Sequence, residues 1–178
     1  MKLVALSRYL LLCSLVLTAG CNKPAADSTS QSKPSAATPA ATPSASPVSI
    51  TAAELQKLKW IEGTWRGTGD IDKPFYERYR FENDSTLLIE SFDDEKLEKV
   101  SDVSRYELRN GQFGNTGDVR WVATKFDDKS ITFSPVAKAR NSFIWASESK
   151  DLWKATLSWP AGDKGPEKQR IYNMARMK

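Results

Sequence analysis

The 178-residue chain contains no histidine and only two cysteines, Cys13 and Cys21. The lack of histidine excludes Ser-His-Asp and Cys-His catalysis, histidine-ligated haem and nearly all catalytic zinc sites. Both cysteines precede residue 22, so the rest of the chain can form neither a disulfide nor a thiolate metal site. No spacing of its carboxylates demands acid–base chemistry. We therefore expect a protein that is not an enzyme and has no cofactor and no metal.

An excess of one charge is also lacking. The chain has 26 lysines and arginines against 22 aspartates and glutamates, which gives a net charge of +4. A nucleic-acid-binding surface needs a larger basic excess on one face. The composition therefore predicts no nucleic-acid partner.

The apolar run at the N-terminus is short. Nine residues, Tyr9–Leu17, follow the basic residues Lys2 and Arg8. A membrane-spanning helix needs about 20 apolar residues. A basic start followed by a short apolar run is instead typical of a cleaved export signal. We therefore interpret residues 1–20 as a signal peptide.

The segment Leu17–Cys21, LTAGC, places small residues before a cysteine. It resembles the lipobox of bacterial lipoproteins, with Thr18 where leucine is commoner. The resemblance implies that Cys21 is lipidated with diacylglycerol and a further acyl chain such as palmitate, and multiple chains anchor a protein stably. By the same resemblance Asn22, which is not aspartate, implies the outer membrane. We expect the protein to be anchored there, facing the periplasm.

Residues 21–50 contain this cysteine and a segment of low complexity. Of the 29 residues from 22 to 50, 22 are alanine, serine, threonine or proline, and none is aromatic. Such a composition buries too little apolar surface to offset the entropy of ordering. We expect a disordered tether between the lipid and a folded domain at 51–178.

This domain begins with a helix signal and continues with strand signals. Thr51-Ala52-Ala53-Glu54 has capping-box spacing, which predicts a two-turn helix over about 52–59. Period-two alternation then predicts about nine strands, with turns every 8–12 residues. We expect an all-β antiparallel meander barrel of about 8–9 strands. A β-sandwich and an α+β cone of the NTF2 type are the alternatives.

Asn110–Gly117 contains three glycines in eight residues. The segment has no GK[ST] sequence and so is not a phosphate-binding P-loop. We predict a flexible loop between two strands, located at the rim of the barrel.

The run Gly63-Thr64-Trp65 follows the predicted helix and opens the first strand. It resembles the Gly-x-Trp signature of the calycin barrels, which include lipocalins, fatty-acid-binding proteins and nitrobindin-like proteins. The resemblance implies that Trp65 closes the barrel floor and that an arginine of the last strand lies across its ring. Arg170 and Arg176 are the candidates, and Arg176 is nearer to the family's position. The resemblance to nitrobindin-like barrels does not extend to haem, because the chain has no histidine.

Large aromatic side chains are abundant in this domain. All six tryptophans, all seven phenylalanines and four of the five tyrosines lie within 51–178. They can line a cavity around a hydrophobic or amphipathic ligand, or they can fill a narrow barrel completely. The first case predicts a ligand-binding module, and the second predicts a structural or interaction module with an envelope protein partner. The sequence identifies no ligand-binding residue.

The second predicted strand has two distinct faces. Tyr79 and Phe81 alternate with Arg78 and Arg80. The simpler interpretation directs the aromatic residues inward and the arginines outward. In the alternative, the arginines point into the cavity and bind a carboxylate or a phosphate.

Overall fold

The computed structural model describes residues 45–69, 73–118, 120–162 and 165–178. The predicted signal peptide, Cys21 and most of the predicted tether lie outside the described residues. None of the helices in the described part of the chain is long and apolar enough to cross a bilayer. These residues form a helix α1 (Ala52–Leu55), a 3-10 helix (Gln56–Ile61) and ten strands. The strands are β1 (Gly63–Gly69), β2 (Phe75–Asn83), β3 (Thr86–Phe92), β4 (Val100–Arg109), β5 (Gln112–Asn115), β6 (Arg120–Phe126), β7 (Ser130–Ala137), β8 (Ser142–Ser149), β9 (Leu152–Trp159) and β10 (Lys168–Arg176).

The ten strands form one closed antiparallel barrel. Each strand pairs with the next along the chain, and β10 returns to pair with β1. Closure removes the two exposed edges that an open sheet would have. The prediction of an all-β meander barrel with a short helix is confirmed, and the sandwich and the NTF2-type cone are excluded. The predicted number of strands, 8–9, is wrong.

The additional strand is β5, which lies inside the predicted flexible loop. Asn110 and Gly111 both have positive φ, at 51° and 77°. Two such residues form the tight hairpin turn whose twist matches the flanking strands, and glycine adopts this conformation without steric cost. The chain therefore reverses at once, and Phe113 pairs with Leu108 of β4. The glycine content of this segment reflects a hairpin turn and not a long loop.

The helical segment covers one end of the barrel, which we call the floor. The predicted capping box is present, since Thr51 Oγ1 accepts from the Glu54 amide and the Thr51 amide donates to the Glu54 carboxylate. The helical turns bury Leu55, Leu58 and Ile61 against the barrel. Because α1 leads directly into 3-10 turns, the predicted two-turn helix is α-helical only in its first half.

The opposite end of the barrel, which we call the mouth, has the longer connections. The segment 93–99 joins β3 to β4 there, and 138–141 joins β7 to β8. At the floor, by contrast, Asn110 and Gly111 alone join β4 to β5, and 127–129 joins β6 to β7. The end that the helix does not cover is therefore the one with the longer connections.

The residues just before the helix close a gap in the barrel wall. β5 and β6 share a single register pair, Gly114 with Val122. Below that pair, the Val48 amide donates to the Ala123 carbonyl at 2.9 Å and the Ile50 amide donates to the Gly111 carbonyl at 2.8 Å. Residues 48–50 thus satisfy backbone groups that the two strands leave open.

Aromatic rings fill the floor half of the interior. Trp65, Tyr79, Trp145 and Trp153 are each at most 1% exposed. Trp153 contacts the other three edge to face, with ring centroids 5.5–6.1 Å apart. Such contacts contribute about 0.5–1.5 kcal/mol each beyond the burial of their area. This half of the barrel therefore has no room for a ligand.

Candidate functional site

The first predicted site is the group Gly63, Trp65 and Arg176 at the floor. Trp65 and Arg176 are register partners on β1 and β10. The Arg176 guanidinium carbon lies 4.0 Å from the centroid of the Trp65 ring. At that distance the cation–π attraction is about 0.5–2 kcal/mol, depending on desolvation. Of the two candidate arginines, Arg176 is thus the one that lies across Trp65.

The Arg176 guanidinium also joins two other segments of backbone to β10. Its Nη1 donates to the Glu62 carbonyl at 2.7 Å, and its Nη2 donates to the Trp60 carbonyl at 3.2 Å. Its Nε donates to the Lys150 carbonyl at 2.9 Å. These carbonyls lie at the end of the helical segment and in the β8–β9 turn. One side chain therefore joins the floor helix to the turn below β8 and β9.

Gly63 is required because the guanidinium passes directly against its backbone. A Cβ atom at this position would lie 2.1 Å from Arg176 Nη1. Its φ of 129° is also unfavourable for any L side chain. The Trp65 indole nitrogen donates to the Ile61 carbonyl at 2.7 Å, which fixes the ring. The three residues form a structural lock.

A second candidate site lies in the mouth half of the interior. It is a cavity of about 100 Å³, which we call the inner cavity. Its walls are the rings of Tyr106, Trp121, Phe143 and Trp145, the aliphatic side chains Ile89 and Leu157, and the polar side chains Glu77, Ser91, Ser104, Asn115 and Asn141. It combines apolar walls with several converging polar groups, which is typical of small-molecule sites.

Glu77 is the charged side chain of the inner cavity and is 2% exposed. The Tyr79 hydroxyl donates to its Oε2 at 2.7 Å, and the Ser91 hydroxyl lies 3.5 Å from its Oε1. Burial raises the pKa of Glu77 to about 7, and these two hydrogen bonds offset only part of that effect. The carboxyl group can therefore change its charge near neutral pH.

The two tyrosines beside Glu77 do not titrate in this range. Burial, followed by the nearby Glu77 charge, raises the pKa of Tyr79 well above its ordinary value. The same two causes, in the same order, raise the pKa of Tyr106. Both hydroxyls therefore remain neutral, and Tyr79 remains a hydrogen-bond donor to the carboxylate.

The arginines of β2 lie on the outer wall, as the simpler interpretation predicts. Arg78 approaches Glu90 at 3.6 Å and stands over the Phe92 ring at 4.9 Å. Arg80 approaches Glu90 at 3.7 Å. The alternative in which these arginines bind an anion inside the barrel is wrong. Because Glu90 is outside and Glu77 is inside, the two carboxylates do not form an acid–base pair.

Two open grooves occur on the outside. One, of about 260 Å³, lies along β5 and β6 near Pro47, and the other, of about 640 Å³, lies at the mouth beside Arg140, Trp159 and Lys168. Both are open to solvent, so neither encloses a ligand. Within the four described ranges, no group of three or more acidic or cysteine side chains could hold a metal ion.

The sequence contained a signal for Glu77 that the site prediction did not use. The residue shares its alternation phase with Phe75, Tyr79 and Phe81, so it is a charged residue at an inward position. Acidic residues are almost never fully buried unless they are paired. An acidic residue at an inward position of an otherwise aromatic strand face is therefore a candidate site residue.

No protein-family model matches the chain, and no curated protein matches its sequence. Among solved structures, the chain is similar to EF1p2_mFAP2b bound to DFHBI, with a TM-score of 0.36 and 10% identity over 70% of this chain and 99% of that one. It is also similar to a redesigned beta barrel, with a TM-score of 0.32 and 11% identity over 75% of this chain and 100% of that one. Similarity at this level carries no argument about a ligand, and the barrel architecture rests on the chain's own strand pairing.

Proposed function

We propose that this protein is a lipid-anchored binding module of the bacterial envelope. Cys21 carries the acyl chains that hold it in the outer membrane, facing the periplasm. Residues 22–50 form the tether, and a calycin-like barrel holds a small hydrophobic or amphipathic ligand in the inner cavity. The export signal and the lipobox resemblance support the location, and the Trp65–Arg176 lock supports the calycin-like assignment.

The inner cavity is the observation that carries the proposed binding function. A barrel that serves only as a structural block has no need for polar groups in its centre, because each buried polar group costs free energy unless it is paired. Here Glu77, Ser91 and Tyr106 converge on one enclosed space. A bound group that hydrogen-bonds to them compensates for their loss of water.

The size of the inner cavity limits what can bind. A drug-sized ligand needs a site of roughly 300 Å³ or more, and the inner cavity is about 100 Å³. Benzene occupies an engineered cavity of about 150 Å³. The ligand is therefore a molecule of a few heavy atoms, or the end of a longer molecule whose remainder extends through the mouth.

Native mass spectrometry tests this proposal. The full-length protein would be released from membranes with mild detergent and measured before and after organic extraction. A reproducible mass increment that extraction removes supports binding of a small ligand. If wild-type protein carries no increment and none of a panel of small amphipathic molecules adds one, the binding proposal is wrong.

The outer wall favours a second candidate function, an interaction module for an envelope protein. Thr132, Ile144, Thr156 and Ile171 pair in one row across β7 to β10, and all are uncharged and β-branched. Ile144 and Ile171 are 38% and 41% exposed. Photo-crosslinking from position 144 in intact cells tests this candidate. A discrete adduct that Ile171→Lys abolishes supports it, and the absence of any adduct contradicts it.

A further inference from the structure

We infer that the inner cavity selects a small organic ammonium group, with Glu77 as its counter-ion. The inference rests on the proposed binding function and deepens it, because it assigns a charge and a chemical class to the ligand. It follows from the missing partner of a buried carboxylate, the rings that surround it and the volume available.

Glu77 has no cationic partner among the described residues. Its two hydrogen bonds come from the neutral hydroxyls of Tyr79 and Ser91. The ion pairs in the described part of the chain lie on the outer wall and in the turns, as Arg78 with Glu90 does. A buried charge without a counter-ion is costly, and a ligand that supplies the counter-ion offsets part of that cost.

The other charged groups of the inner face do not substitute for such a ligand. Asp102 is the register partner of Ser91, which itself pairs with Glu77, so it adds negative charge on the same face. Arg170, on β10, is the register partner of Leu157 on β9. Its Nη1 donates to the Tyr172 hydroxyl at 3.2 Å. Arg170 does not line the inner cavity, so the charge that a bound group meets there is that of Glu77.

Aromatic rings also line the cavity. Tyr106 and Trp145 lie with ring centroids 5.3 Å apart, and Phe143 is 5.6 Å from Trp145. Trp121 is 5.6 Å from Phe143 on the mouth side. Aromatic faces attract cations through their quadrupole, and aromatic cages are a recurrent way to bind organic ammonium groups.

The volume restricts the ammonium compound to a few heavy atoms. An engineered cavity of about 150 Å³ holds the six carbons of benzene. A space of about 100 Å³ therefore suits about four heavy atoms. Propylammonium matches this size, and propan-1-ol is its uncharged counterpart of the same shape.

Binding of these two probes to the full-length protein in detergent tests the inference. Tryptophan fluorescence reports occupancy, because Trp121 and Trp145 line the cavity. At pH 8 we expect propylammonium to bind at least about tenfold more tightly than propan-1-ol, the difference of one ion pair of about 1.4 kcal/mol. Between pH 6 and pH 8 its affinity should rise about tenfold, because only the fraction of protein with ionised Glu77 binds it.

The variants Glu77→Gln and Glu90→Gln separate the inner carboxylate from a matched outer one. Glu77→Gln should abolish both the preference for propylammonium and the pH dependence, and Glu90→Gln should change neither. If near-ultraviolet circular dichroism shows that Glu77→Gln does not fold, the comparison of the two probes on wild-type protein still tests the ammonium assignment. Equal or tighter binding of propan-1-ol overturns the ammonium assignment and leaves the proposed binding function intact. Failure of both probes to bind overturns the ammonium assignment, while the bound-ligand experiment above decides the binding function separately.

Discussion

Arg176 lies with its guanidinium carbon 4.0 Å above the Trp65 ring while the same group donates to carbonyls of the floor helix. The side chain of Arg176 thereby connects the last strand to the first strand and to the helix. Barrel closure between β1 and β10 joins residues more than 100 positions apart, which carries a large loop-closure entropy. The Trp65–Arg176 contact lies at this pairing of β1 with β10 and offsets part of that entropy.

Replacement of Trp65 by alanine should therefore destabilise the domain strongly. The side chain is fully buried, and its loss creates a cavity that neighbouring rings cannot refill. We expect a loss of about 3–5 kcal/mol in the free energy of unfolding, measured by urea titration. As a control, Ile171→Thr, which stays β-branched at a half-exposed position of the wall, should change it by less than about 1 kcal/mol. A loss below about 1 kcal/mol for Trp65→Ala would contradict the role of this residue in the floor.

The variant Arg176→Lys tests whether the lock depends on the fork of the guanidinium or on its charge alone. Lysine retains the charge but cannot reach three carbonyls from one planar group. We expect a loss of about 1–3 kcal/mol in unfolding free energy, because the partly buried carbonyls of Trp60 and Glu62 lose charged donors. Arg66→Lys, at an exposed position of β1, is the matched control and should be neutral. Equal stability of the two variants would show that charge alone suffices.

The sequence predicted the barrel better than it predicted the site. Alternation in β2 identifies which side chains point inward, and the capping box marks the helix start, because both are local patterns. The strand β5 was missed because glycine content is ambiguous between a loop and a tight turn, and only pairing with β4 resolves it.

The inner cavity could not be predicted, because it depends on distances between side chains of different strands. Glu77, Tyr106 and Phe143 are far apart in the chain and meet only after closure. Aromatic content alone does not distinguish a filled barrel from a hollow one. The structure shows that the barrel is filled in one half and hollow in the other, since rings fill the floor half and leave a cavity toward the mouth.

Cys21→Ser tests the lipid anchor that we propose. A serine hydroxyl cannot form the thioether to diacylglycerol, so the chain should lose its acyl groups and remain uncut by the lipoprotein signal peptidase. We expect the mass of the acyl chains to be absent and the uncleaved signal to be present by intact-mass measurement. Cys13→Ser, within the predicted signal, is the matched control and should be processed normally. Unchanged mass and membrane fractionation of Cys21→Ser would refute lipidation.

Glu77 should make the stability of the folded domain decrease as the pH rises. Its pKa is about 7 in the folded state against an ordinary value of 4.5, so between these values the folded protein binds a proton that the unfolded chain has released. Stability therefore falls as the pH rises from 4.5 to 7, by about 3 kcal/mol. Glutamine has no proton to lose and keeps an acceptor for the Tyr79 hydroxyl. Relative to wild type, Glu77→Gln should thus gain stability progressively over this range.

Urea titrations of wild type and variant at pH 5, 6, 7 and 8 measure this difference. Glu90→Gln removes a carboxylate of the outer wall, which approaches Arg78 and Arg80, and is the matched control; it should run parallel to wild type across the series. A saturating small ammonium ligand should remove this pH dependence for wild type alone, since it binds the ionised folded state and keeps Glu77 deprotonated over the whole series, as in the unfolded chain. Parallel curves for wild type and Glu77→Gln would mean that this carboxyl group stays ionised in the folded protein across the series. The inner cavity would then hold a permanent charge and not one that depends on pH.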